Sequence, residues 1–98
     1  MNIKYPNIQV IEKEEISKLK FPSSEVLISD EQKSMRNQHV HNGMKLGNNH
    51  RSKVKIIFED SEGIKAVETT IWFGTDHSIS LKGGTIIPLH RVHDIRIH

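Results

Sequence analysis

From Lys53 to His98 short apolar runs recur at even spacing, each closed by turn-forming residues, and no other feature constrains the fold so tightly. The runs are Val54–Phe58, Val67–Trp72, Ile79–Leu81, Ile86–Leu89 and Ile95–Ile97. Between them lie Asp60-Ser61-Glu62-Gly63, Gly74-Thr75-Asp76 and Gly83-Gly84. Short strands at regular spacing with turn signals between them predict an all-β unit. In the first run Val54, Ile56 and Phe58 share a face, because successive strand residues point to opposite sides. In the second, Val67, Thr69 and Ile71 point one way and Ala66, Glu68, Thr70 and Trp72 the other. Ile79, Leu81, Ile87, Ile95 and Ile97 complete the expected core. Pro88 has no N–H to give a ladder, so it marks an edge or a strand end. About five strands over residues 51–98 predict a mainly β protein built on a small SH3-like or Sm-like antiparallel barrel. Such a barrel is a platform onto which many unrelated functions are grafted.

Residues 1–50 read as an N-terminal extension, partly flexible. Ile8–Ile11 could form a short strand and Glu12–Lys20 a charged helical turn, while Pro22 disfavours helix at Phe21. Met1–Ser24 lacks a sustained apolar face and is expected to be less ordered than the rest. Ser29 offers an N-cap with Gln32 as its capping-box partner and Asp30 and Glu31 in the first turn. The spacing predicts one short helix over about 30–41, with Gly43 as C-cap and Gly47-Asn48-Asn49 as a second break. Its apolar content is thin, Met35 and Val40 only.

Composition bounds the function. A chain of 98 residues, 35% of them apolar, has room for one domain with a modest core. The 14 basic residues barely exceed the 12 acidic ones, and each half carries seven of the first and six of the second. Neither half is a basic arm, so the net charge of +2 permits a nucleic-acid partner without arguing for one. The absence of cysteine excludes disulfides and thiolate zinc sites and suits a reducing cytoplasm. The first residues lack the apolar core and cleavage site of a signal peptide, and no run approaches eighteen apolar residues. A cytoplasmic protein with no membrane partner is expected.

The stretch from Leu46 to Ile97 resembles a group of short uncharacterised proteins of Bacteroidetes bacteria. Val67-Glu-Thr-Thr-Ile-Trp72, Leu81-Lys-Gly-Gly84 and Ile87-Pro-Leu-His-Arg91 carry the resemblance, which covers roughly the second half of the chain. It implies the small β-barrel-like half. No activity is established for that group, so it implies no functional residue.

Seven histidines are the oddest feature of the composition. His39 and His41 lie about 200° apart on a helix and would share a face only on an extended segment, and His90 and His93 face opposite sides of a regular strand, so neither spacing is a metal signature. A site combining His50, His77, His90 or His93 across the fold is the alternative to surface histidines, and the spacing favours no metal and no cofactor. No serine stands in a nucleophile elbow. Gly83-Gly84 lacks the Lys-Ser/Thr of a phosphate loop. Glu68, in mid-strand, is better read as the cross-strand partner of Lys55 than as a general acid or base. Catalysis is not expected.

Two binding readings follow. A non-catalytic interaction module, with a protein partner or self-association, requires no special chemistry and comes first. The second is a single-stranded nucleic-acid binder, with Arg51, Lys53, Lys55, Arg91 and Arg96 tracking phosphates and Trp72 as a stacking platform. Trp72 covered by the helix is the competing use of that side chain.

Overall fold

A single residue, Thr70, separates two strands, and there the chain leaves one sheet for another. The computed structural model describes residues 8–97; the start of the N-terminal extension and His98 lie outside the described residues. Among the described residues there are seven strands and one α-helix. They run β1 (Gln9–Val10), α1 (Asp30–His50), β2 (Val54–Asp60), β3 (Gly63–Thr69), β4 (Ile71–Gly74), β5 (Ser78–Leu81), β6 (Ile86–Pro88) and β7 (Val92–Ile97). Two 3-10 turns, Lys13–Lys18 and Leu89–Arg91, complete the regular structure. The strands form a four-stranded sheet in the order β1-β3-β2-β7 and a three-stranded sheet in the order β4-β5-β6. All pairings are antiparallel except β1 with β3, which is parallel.

The expected turns connect these strands. Asp60 pairs with Gly63 across the β2–β3 hairpin, and its Oδ1 accepts from the Glu62 and Gly63 N–H groups and from Lys65 Nζ at 2.6 Å. Burial pushes the Asp60 carboxyl up, but the Lys65 ammonium and the two N–H groups more than offset it, and the acid titrates below its usual range. Gly83 and Gly84 both sit at φ +92°, a backbone only glycine adopts freely, and turn β5 into β6. β6 is an edge strand and ends at Pro88, as the missing N–H requires.

The core lies between the sheets. Val54, Ile56, Phe58, Val67, Ile71, Ile79, Leu81, Ile87 and Ile95 are buried in it as the alternation predicts, with Val92 and Leu89 beside them. Ile97 departs from expectation: it ends the edge strand β7 and is 45% exposed. Ile11 and Ile16 also belong to this core, and the Phe21 ring packs tilted against Phe58 with centroids 6.0 Å apart. The segment over residues 8–24 is therefore packed and not loose. It is tied by hydrogen bonds from Ile11 N–H to Ala66 O, Ser61 N–H to Lys20 O and Arg91 Nη1 to Ser24 O.

The helix differs most from its expected form, running to His50 instead of about 41. Its buried stripe is Arg36, Val40, Gly43 and Gly47, spaced for one face of a helix but nearly devoid of apolar side chains. Glycines that look like stop signals are its contact face. A Cβ on Gly47 would lie 2.2 Å from the Ile71 carbonyl oxygen, so the helix backbone rests directly on β4. Arg36 replaces the missing apolar anchor. Its two terminal nitrogens grip both oxygens of Glu25 at 2.7 Å, and Nη1 also donates to Val92 O at 3.0 Å. The helix ends on Arg51, in the left-handed conformation at φ 52°, whose N–H bonds Gly47 O.

At the other end the capping box forms as read from sequence: Gln32 N–H donates to Ser29 Oγ and Ser29 N–H to Gln32 Oε1. Ser29→Ala is expected to cost about 1 kcal/mol, a fall of about 4–8 °C in Tm for a domain of this size. A thermal melt unchanged within 1–2 °C, well inside the shift that one kilocalorie produces, would show that the cap contributes nothing.

Candidate functional site

Among the described residues, the joint between the two sheets also makes the one feature that exposes aromatic side chains together. Across β4 and β5, Ile71 faces Leu81 and Phe73 faces Ser80, so Trp72 is the extra residue of a β-bulge. A bulge re-aims side chains that a regular strand would alternate. Trp72 is 50% exposed and Phe73 57% exposed although they are neighbours in sequence. Phe73, Ser80 and Ile86 then form one row across the three-stranded sheet, and Ile86 is also exposed. Ile71, Ile79, Leu81 and Ile87 fill the inner face of the same strands.

Beside Trp72 the end of α1 and the β5–β6 turn enclose a cleft of about 360 Å³, lined by Gly47, Asn48, Arg51, Thr70, Trp72 and Lys82. Gly47 keeps one wall thin, and the left-handed cap at Arg51 ends the helix there. A second hollow of about 260 Å³ shares Arg51, Thr70 and Lys82 with the first and adds Lys53, Lys13, Glu68, Glu12 and Glu14. The two adjoin at these three shared residues. The end at Trp72 holds two cations and no carboxylate, whereas the far end is mixed in sign. Among the described residues, Arg51, Lys53 and Lys82 make no ion pair; Lys13 lies 4.0 Å from Glu14.

The structure thus brings together Arg51, Lys53 and Trp72 from the expected set. Lys55 and Arg96 are opposite one another on β2 and β7 and do not line the groove, and Lys55 also faces Glu68 on β3. Arg91 leaves the set altogether. It is only 5% exposed, donating through Nε to Glu59 O and through Nη1 to Ser24 O and Oγ. An arginine with its fork spent on backbone carbonyls holds the N-terminal segment in place and is closed to a ligand. Two residues of this surface, Phe73 beside the groove and Lys82 in it, escape a sequence reading. Phe73 is hidden by the alternation rule, which a bulge breaks. Lys82 carries the only available signal, its place just before Gly83-Gly84 at the tip of a turn.

The histidines are dispersed. His39 Nδ1 donates to Asp94 at 2.9 Å, His93 Nε2 to Glu59 at 2.8 Å and His90 Nε2 to the Pro22 carbonyl at 2.9 Å. His41, His50 and His77 are exposed. Among the described residues no three His, Asp or Glu side chains gather within reach of one ion, and no helix is long and apolar enough to cross a membrane. Comparison of the chain with family models, with curated proteins and with solved structures finds no match.

Proposed function

We propose that this is a non-catalytic cytoplasmic binding module built on an open SH3-like barrel, with the outer face of β4-β5-β6 and the groove beside Trp72 as its contact surface. Three features support the barrel reading. The first long strand, β2, pairs with the last, β7; the chain crosses between sheets through Thr70 alone; and a 3-10 turn precedes β7. The observation that carries the binding reading is the bulge. It holds two adjacent aromatic rings in solvent, where they contribute little to the core, next to a groove whose cations make no ion pair among the described residues. Solvent-exposed aromatic rings grouped on one rigid face are characteristic of recognition surfaces.

A photo-crosslinking residue in place of Phe73, in the full chain inside its producing cells, tests this. An adduct at position 73 and none at the exposed helix position Glu31 is expected. No adduct at 73, or equal adducts at both positions, removes the proposed surface. Digestion of the adduct with nuclease or protease identifies what was held, a second copy of the chain included.

A further inference from the structure

We infer that the occupant of the Trp72 groove is a single-stranded nucleic acid, one base stacked on Trp72 and the flanking phosphates held by Arg51, Lys82 and Lys53. The inference rests on the contact surface proposed above and names its ligand.

The groove pairs two chemistries that few ligands satisfy together. Its aromatic wall offers a flat π surface about half open to solvent, suited to a planar ring. Its floor and rim carry Arg51 and Lys82, shared by both parts of the groove, with Lys53 further along. These cations have no carboxylate partner among the described residues, whereas Lys65, Arg36 and Arg91 are each committed to an acid or a carbonyl. A ligand that alternates planar rings with negative charges at short spacing matches this order of groups, and a nucleic-acid strand is such a ligand. Phe73, next in the chain and equally open, offers a second ring face.

The acidic end sets the limits of the site. Glu12, Glu14 and Glu68 surround Lys53 and Lys13, so the electropositive track is short and ends there. The geometry supports one or two nucleotides in the groove and a strand that leaves across Phe73. A protein partner would make use of Phe73 and Ile86, but it would give no account of Arg51 and Lys82, two cations beside the tryptophan that make no ion pair among the described residues. That asymmetry favours nucleic acid.

Trp72 is the only tryptophan in the chain, so it reports on its own occupancy. The full protein is titrated with oligo-U and oligo-dT at low salt while tryptophan fluorescence is followed, with heparin as a ringless polyanion. Quenching by the oligonucleotides and not by heparin is expected. Three phosphate contacts predict a log–log salt slope of about −2. Trp72→Ala should weaken binding roughly ten- to hundredfold, and Trp72→Phe, which keeps a ring, far less. Arg51→Asn, a residue that tolerates the left-handed cap, should lower the slope by about 0.7. Absence of binding below millimolar, or equal quenching by heparin, overturns the inference. In that event a protease-sensitive adduct at position 73 leaves the binding module standing with a protein as its ligand, and no adduct ends both.

Discussion

Glu25→Gln is expected to lower the unfolding free energy at pH 7 by about 3–5 kcal/mol, because it leaves the buried Arg36 guanidinium without its counter-charge. Arg36 is 5% exposed, so its charge is poorly solvated without the carboxylate. The two-pronged bond from Arg36, opposed by partial burial and assisted by the Leu27 N–H, holds the Glu25 carboxyl down from 4.5 to about 2. That depression corresponds to stabilisation on the order of 3 kcal/mol. A carboxyl whose folded pKa lies below its unfolded value stabilises fully above the unfolded value and loses the effect as pH falls through the folded one. The contribution is therefore complete above about 4.5 and gone near 2. Urea unfolding of both proteins from pH 7 to pH 2 should show a gap that closes on acidification. A gap that stays constant with pH, or is under about 1 kcal/mol at neutrality, the ordinary worth of an exposed pair, would mean that the fork does not hold the helix.

Gly47→Ala should lower Tm by on the order of 10 °C, the equivalent of about 2 kcal/mol for a domain of this size. Helix propensity alone would raise stability by about 1 kcal/mol. Packing decides the sign. The added methyl would meet the Ile71 carbonyl oxygen at 2.2 Å and Thr70 Cγ2 at 3.0 Å, and a backbone carbonyl in a paired strand cannot step aside. Overpacking of this kind costs about 1–3 kcal/mol or more. Gly43→Ala is the control. Its nearest obstacle is Ile71 Cδ1 at 3.1 Å, the end of a side chain that can rotate away, so the change should be close to neutral. Thermal melts of the two variants side by side decide the matter: if both are neutral, α1 does not rest on β4 as closely as described.

Much of this architecture can be read from the residues, and the failures have physical causes. Alternation locates β2, β3, β5 and the inner residues of β6 because a half-buried strand has a fixed period of two. The Ser29 cap is legible because a capping box is local. The end of α1 is not, since a glycine that stops a helix and a glycine that lets it touch a sheet look alike in sequence. Arg36 and Glu25 have no shared period to betray their pairing, being eleven residues apart with only the fold to join them. The same holds for Arg91, which reads as a surface cation until its carbonyl partners are placed around it. In the groove, Trp72 and Arg51 are accessible to reasoning from residue type and position. Phe73 is not, because one extra residue in β4 inverts the parity of everything around it.

The parallel pairing of β1 has a consequence for the order in which the chain is assembled. Gln9 and Val10 wait for Lys65 and Ala66, and the Ser24 carbonyl waits for Arg91, 67 residues further on. At about 5–20 residues per second a ribosome takes roughly 3–13 s to make that interval. The hairpins β2–β3, β4–β5 and β5–β6 close on their own neighbours as they emerge, whereas residues 9–24 must wait for partners made much later in the chain. Through that interval Ile11 and Ile16, later part of the core, have no completed sheet to cover them.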